Sequence, residues 1–439
     1  MKIHLIAIGG SAMHNLALAL KHKGYDVTGS DDAIFDPSKN RLEEHNLMPH
    51  KLGWFPNKIS NKLDAIILGM HARIDNPEVI KAKEIGIPIF SYPEYIYNQS
   101  KDKKRIVIAG SHGKTSITSM ILHVLKKLNK NFDYMVGAQI DGFDTMVRLT
   151  DAPIIILEGD EYLSSPIDKR PKFHLYKPHI GVISGISWDH INVFPTFNIY
   201  KNQFRIFKDM IQDSLIYFSK DKELNSLVKE PTSCKLIPYS TGEYKIENGV
   251  TSINNTELQI FGDHNLQNLN AARLVCKEIG IKSNDFYQHI STFKGASNRL
   301  ELIKKKKDTA IYKDFAHSPS KLKATCAAIK KQFPKRKIVA CLELYTFSSL
   351  NSNFLKEYKD CMSDPDIAIV YFNPAAIKHK KLKPIRESEI YESFNRKDLL
   401  IFTDSKGLKK YLNSISWQDK NILMMSSGNF NGIDLNKII

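Results

Sequence analysis

Arg105-Ile106-Val107-Ile108-Ala109 runs directly into Gly110-Ser111-His112-Gly113-Lys114-Thr115-Ser116. The first five residues, mostly apolar and β-branched, make a buried strand. After the glycine loop, apolar residues recur at Ile117, Met120, Ile121, Val124, Leu125 and Leu128, one face of a helix. Strand, glycine loop, Lys-Thr and helix form a cradle for a nucleotide polyphosphate. Glycine lets backbone N–H groups approach phosphate oxygens, and the helix N-terminus adds the positive end of its dipole. Lys114 neutralises phosphate charge, and the Thr115 hydroxyl can hold Mg²⁺. Ser111 and His112 alone separate the glycines, a shorter spacing than in the common phosphate loop. The alternative is a glycine turn before an ordinary helix with Lys114 exposed. Strand, loop and helix in one unbroken run favour the cradle.

Two further strands end in chemistry-bearing residues. Pro153–Leu157 runs into Glu158-Gly159-Asp160-Glu161, and Ile180–Ile186 runs into Ser187-Trp188-Asp189-His190. Carboxyl ends of parallel strands open onto the ligand crevice. Glu158 there is a natural Mg²⁺ ligand, because Mg²⁺ prefers hard oxygen donors. His190 alone reads as a structural histidine. With two other strand ends in register it reads as a second metal ligand. No local Cys/His spacing suits zinc.

The strand–turn–helix rhythm continues in both directions and implies parallel sheets covered by helices, an α/β fold. Strands are expected at 3–8, 26–30, 65–69 and 88–91, before a polar linker at Lys101–Lys104. The 220–255 stretch reads as peripheral strands and turns, followed by a helix near 265–279. Beyond Gly295, strands are expected at 309–313, 337–343, 366–372 and 421–426, with a helix starting near Pro319. Three α/β domains result: 1–102, 103–294 and 295–439.

Hydrophobic residues at 42% and charged residues at 25% of 439 give a globular balance, and no apolar run nears the ~20 residues of a membrane span. No membrane insertion is expected. The N-terminus opens on a strand and Gly9-Gly10 rather than on a leader pattern. Five cysteines without a C-x-x-C pair argue against a disulfide framework and suit a reducing cytoplasm. The net charge of +16 is spread over scattered lysines. Nucleic-acid binding, compositional bias and attraction of anionic small substrates would each produce it. No nucleic-acid motif accompanies it, so no nucleic-acid partner is expected.

Together these segments resemble the Mur ligase family. The resemblance rests on Gly110–Thr115, Glu158–Glu161, Asp189-His190, Gly262-Asp263-His264-Asn265-Leu266-Gln267-Asn268, Asn298-Arg299-Leu300-Glu301 and Asp314-Phe315-Ala316-His317-Ser318-Pro319, in that order across nearly the whole chain. It implies a Rossmann-like UDP-binding domain, a central P-loop ATPase-like domain and a C-terminal Rossmann-like domain. It also implies ATP and Mg²⁺ as cofactors, and UDP-N-acetylmuramate plus an amino acid or short peptide as substrates. Residue by residue, it casts Gly110, Ser111, His112, Gly113, Lys114, Thr115 and Ser116 as the ATP loop and Thr115, Glu158 and His190 as metal ligands. Asn268 resembles the adenine-side residue. Arg299 resembles the interdomain arginine that reaches nucleotide phosphates. Asp314 and His317 resemble the C-terminal residues that close over ATP. Lys114, His190 and Arg299 carry the expected catalysis.

The N-terminus, Gly9-Gly10-Ser11-Ala12-Met13 followed by Asp31, resembles the family's UDP-sugar domain. Its backbone N–H groups suit a pyrophosphate, and Asp31 suits a ribose hydroxyl. A dinucleotide site is the alternative, but the full G-x-G-x-x-G pattern is absent. Tyr162 and Asp168-Lys169-Arg170-Pro171-Lys172-Phe173 resemble the murein-peptide ligase branch, which joins L-alanyl-γ-D-glutamyl-meso-diaminopimelate to UDP-N-acetylmuramate. Tyr162 and Arg170 are then the expected peptide contacts. The L-alanine-adding branch is the runner-up. Outside the family, an oxidoreductase leaves the Lys114-Thr115 loop unexplained, and a nucleic-acid-stimulated NTPase predicts a basic patch.

Overall fold

The computed structural model describes residues 1–70, 72–190, 193–296 and 299–439. It forms two compact units, one of Met1–Gly242 with Gln267–Ile290 and one of Glu243–Leu266 with Ser291–Ile439.

The first unit carries two sheets. The smaller is all parallel, in the order Asp26–Ser30, Lys2–Ile6, Ala65–Leu68, Ile89–Ser91. The larger runs Lys235–Tyr239, Ser214–Phe218, Ile180–Ile183, Lys104–Ala109, Ile154–Glu158, Asp133–Met135, Val147–Arg148, with only the last pair antiparallel. The Lys104–Ala109 strand is central because it is apolar on both faces; Ile106, Val107, Ile108 and Ala109 are all fully buried. Its register pairs Ile108 with Glu158 and Ala109 with Ile183, so the three strands end side by side. The Lys114–Lys127 helix follows at once and buries Ile117, Met120, Ile121, Val124 and Leu125, the face that the periodicity predicts.

Several segments differ from the sequence reading. Lys103, read as part of a polar linker, is buried. Its ammonium pairs with Asp133 at 2.8 Å and donates to the Thr150 and Ala152 carbonyls. The 220–255 stretch contains a helix, Lys222–Leu227, and its Lys235–Tyr239 strand extends the large sheet. The Phe197–Asp209 helix was not foreseen. Thr196 caps it by accepting from the Ile199 N–H, and Tyr200, Phe204 and Phe207 pack inward at helical spacing.

The second unit is built on a six-stranded sheet, in the order Glu301–Lys305, Ala310–Asp314, Lys420–Met425, Lys337–Glu343, Ile367–Tyr371, Leu400–Phe402. All pairs are parallel except the first. A three-stranded antiparallel sheet, Lys245–Glu247, Val250–Ile253 and Thr256–Leu258, belongs to the same unit. Among the described residues no helix is long and apolar enough to cross a membrane.

Candidate active site around Lys114

Gly110 and Gly113 have φ of +123° and +80°, conformations that an L side chain resists. Space forbids a side chain as well. A Cβ on Gly110 would run into Ser184, and one on Gly113 into Asn268 Oδ1. Asn268, expected on the adenine side and carried by the Asp263–Glu278 helix, stands against the glycine loop. Ser111 and Ser116 are buried; the Ser111 N–H donates to the Gly185 carbonyl at 3.0 Å, and the His112 carbonyl accepts from the Ser184 hydroxyl. The loop is thereby stitched to the end of the neighbouring strand.

Thr115 Oγ1 donates to Glu158 Oε1 at 2.8 Å, and Glu158 Oε2 accepts from the Gly137 N–H at 2.8 Å. Burial pushes the Glu158 carboxyl above its ordinary range, while the Gly137 and Thr115 hydrogen bonds and nearby Lys114 pull it back. A hydroxyl and a buried carboxylate are hard oxygen donors, and a divalent cation would offset the burial cost of the charge. These residues fit Mg²⁺.

Lys114 Nζ donates to the Gly110 carbonyl and to Glu161 Oε2, both at 2.7 Å. Burial works against its ammonium, but the Glu161, Asp160 and Glu158 carboxylates outweigh it and hold the pKa above the ordinary value. Glu161 is 1% exposed and accepts from the Tyr200 hydroxyl at 3.1 Å. His190 lies against the same carboxylate, with Nε2 at 3.7 Å from Glu161 Oε1, and its ring meets Tyr162 edge-on at 5.0 Å. The structure thus joins Thr115 to Glu158 and sets His190 on Glu161. Among the described residues no three His, Cys, Asp or Glu side chains cluster as a metal site. Glu161 and Tyr200 were not singled out as a hub, because their pairing spans 39 positions of sequence.

The peptide-contact candidates differ from one another. Tyr162 is half-buried beside His190. Arg170 is exposed and already makes a two-pronged pair with Asp168, at 3.0 and 2.6 Å, with Glu94 at 3.5 Å.

At the N-terminus, the Gly9 N–H donates to Asp31 Oδ2 at 2.7 Å, so Asp31 braces the turn expected to meet UDP. Burial raises the Asp31 pKa. Gly10 caps the Ser11–His22 helix without a side-chain hydrogen bond, which leaves the first-turn N–H groups for a ligand. Ser11 and Ala12 are exposed, whereas the Met13 side chain is buried in the core. Two cavities open here. One of about 320 Å³ is lined by Asp31, Trp54, Arg73 and Asn76; the other, of about 370 Å³, by Ser11, His14, Asn15, Arg41 and Gly137. Trp54, Arg73, His14 and Arg41 carried no local motif.

In the second unit, the Arg299 guanidinium lies 4.7 Å over the Phe315 ring. Asp314 accepts from the Leu300 N–H at 2.8 Å, and His317 Nδ1 lies 2.8 Å from the Phe315 carbonyl. Arg299, Asp314 and His317 therefore gather at the end of the Ala310–Asp314 strand; Asn298 of the same motif lies outside the described residues.

A glycine loop with Lys-Thr at a helix N-terminus, beside acidic strand ends in a parallel sheet, defines a nucleotide-dependent enzyme. The profile for the Mur ligase middle domain matches residues 108–276, and that for the Mur ligase family, catalytic domain, matches residues 2–104. A UDP-N-acetylmuramate–L-alanine ligase of Caldicellulosiruptor bescii is 30% identical over 410 residues, 89% of this chain and 87% of that protein. The fold is shared with UDP-N-acetylmuramate-alanine ligase from Thermotoga maritima (TM-score 0.69, 21% identity, 98% of this chain and 96% of the other). It is also shared with a murein peptide ligase from Psychrobacter arcticus (TM-score 0.63, 21% identity, 99% and 98%). The chain belongs to the Mur ligase family and is an ATP-dependent, ADP-forming ligase of peptidoglycan synthesis.

Proposed function

We propose that this chain forms an amide between the carboxylate of UDP-N-acetylmuramate and the amine of L-alanine in the cytoplasm, through an acyl phosphate. The observation that carries the ligase chemistry is the convergence of Lys114, Thr115, Glu158 and Glu161 at two adjacent strand ends. The acceptor follows the curated relatives, and Arg170 supports it. Its charge is already matched by Asp168 and Glu94 and does not await a distal peptide carboxylate.

The donor carboxylate oxygen attacks the γ-phosphorus of ATP, the bond to the bridging oxygen breaks, and ADP leaves. Lys114 and the loop N–H groups stabilise the charge on the transferring phosphoryl group. Mg²⁺, held by Thr115 and Glu158, would neutralise further charge there. The amine then attacks the acyl carbon, phosphate leaves, and the amine proton passes to a base in the site. In this proposal Arg299, Asp314 and His317 are ATP contacts, Asn268 faces the adenine, and Gly9–Met13 with Asp31 hold the UDP end.

A second reading has L-alanyl-γ-D-glutamyl-meso-diaminopimelate as acceptor. It rests on the ordered strap after Glu161, where Leu163 bridges to Pro171 and Tyr162 is held against His190. Incubation with ATP, UDP-N-acetylmuramate and each acceptor, read by product mass, separates the two. No product with either acceptor would overturn both.

A further inference from the structure

We infer that Glu161, braced by Tyr200, is a resident counter-ion that parks the Lys114 ammonium until a nucleotide phosphate displaces it. The inference rests on the proposal that the Lys114 loop takes ATP.

Four segments meet at this point: the loop, the ends of two strands, and the Phe197–Asp209 helix. The three acids at the end of the Ile154–Glu158 strand have separate partners. Glu158 holds Thr115 and the Gly137 N–H, Asp160 holds Lys172 at 2.6 Å, and Glu161 holds Lys114. The Glu161 side chain is 1% exposed and that of Lys114 16%, so solvent screens their attraction little. A phosphate that approaches Lys114 also approaches Glu161, and two like charges at one poorly screened site repel. Lys114 therefore has to exchange one anion for another.

Tyr200 sets the strength of the parked pair. Its hydroxyl donates to Glu161 Oε1 at 3.1 Å and lies 2.8 Å from Ser111 Oγ, which accepts from the Ser187 N–H at 2.8 Å. This chain fixes Glu161 relative to the phosphate loop. The tyrosine hydrogen bond also draws charge from the carboxylate, so its loss concentrates that charge on Lys114. Glu161 and Tyr200 act through Lys114 and are positioning residues.

The test is calorimetric titration of the full chain with ADP, with thermal melts as a check on folding. Glu161→Gln frees Lys114 and should tighten ADP binding by about three- to tenfold. Tyr200→Phe should weaken it by a similar factor, and the double variant should match Glu161→Gln alone. Opposite signs and this masking are outcomes that general damage to the site does not produce. If Glu161→Gln fails to fold, Glu161→Asp, which withdraws the charge from Lys114 by one methylene, should shift affinity in the same direction. Weaker binding by both variants, or no change in Tyr200→Phe, would overturn the counter-ion role alone. A wild-type chain that binds no ADP would overturn the nucleotide-site reading and this proposal with it.

Discussion

Thr115 Oγ1 donates a 2.8 Å hydrogen bond to Glu158 Oε1, which ties the first turn of the Lys114–Lys127 helix to the end of the adjacent strand. Both groups are oxygen donors of the kind Mg²⁺ prefers, and they are already within reach of one cation. His190 faces Glu161 instead. Glu158→Ala should therefore raise the Mg²⁺ concentration for half-maximal ligation by about tenfold or more, and His190→Ala by less. Mg²⁺ titrations of ADP release read both. An unchanged midpoint in Glu158→Ala would remove it from the metal site.

Lys114→Ala takes away the only ammonium that reaches both the Gly110 carbonyl and Glu161 among the described residues. Loss of a preorganised charge at a transferring phosphoryl costs about 100- to 1000-fold in kcat. Circular dichroism should stay unchanged, because the helix keeps its buried face. Near-normal turnover in the folded variant would dismiss the loop as the phosphate site.

The strand, glycine loop and helix around Lys114 were legible because every part of them is local and lies within one run of sequence. The Glu158 strand end was legible for the same reason. The hub at Glu161 was not, since Tyr200 reaches it from a helix whose inward face looks like ordinary core packing. Lys103 misled because a lysine in a charged run reads as solvated, while its buried partner Asp133 lies thirty positions on. The antiparallel Glu301–Lys305 strand hid behind its charged ends and was unmarked by any apolar run.

Gly113→Ala places a Cβ at φ +80° and against Asn268 Oδ1. The left-handed backbone alone costs roughly 1–2 kcal/mol, and the collision adds to it. Adding Asn268→Ala removes the collision but not the strain, so it should recover part of the lost stability. Urea melts of the two single variants and the double decide the matter. Strict additivity would mean that Asn268 does not crowd the loop.

Burial pushes Asp314 from its ordinary 3.8 up to about 6, with Arg299 and the Ala316 and Leu300 amides pulling the other way. The folded state then binds this proton more tightly than the unfolded chain does. Its contribution falls as pH rises from about 4 to about 6, and the full cost of the buried charge is present above that. Asp314→Asn should therefore be more stable than wild type at pH 7.5, by about 1–3 kcal/mol, with the gap closing near pH 4. Denaturant midpoints across that range check the sign. A wild-type advantage at pH 7.5 would show that the charge is needed by the fold.

Arg170 separates the two acceptor readings. Its guanidinium lies at 3.0 and 2.6 Å from the Asp168 carboxylate and holds that acid below its ordinary range. With L-alanine as acceptor, Arg170→Ala removes only an exposed pair, worth about 0–1 kcal/mol to stability, and the KM for L-alanine should stay within about twofold. With the tripeptide as acceptor, Arg170 would have to leave Asp168 for a distal carboxylate. A charge-assisted pair of that kind contributes about 1.5–3 kcal/mol, or roughly ten- to a hundredfold in tripeptide KM. Tyr162→Ala adds a second axis, because the Tyr162 ring touches His190 and should matter to either acceptor. The expected pattern is a large Tyr162 effect with L-alanine and a negligible Arg170 effect. Tripeptide turnover exceeding that of L-alanine in kcat/KM, together with a selective loss in Arg170→Ala, would transfer the assignment to the peptide-adding reading.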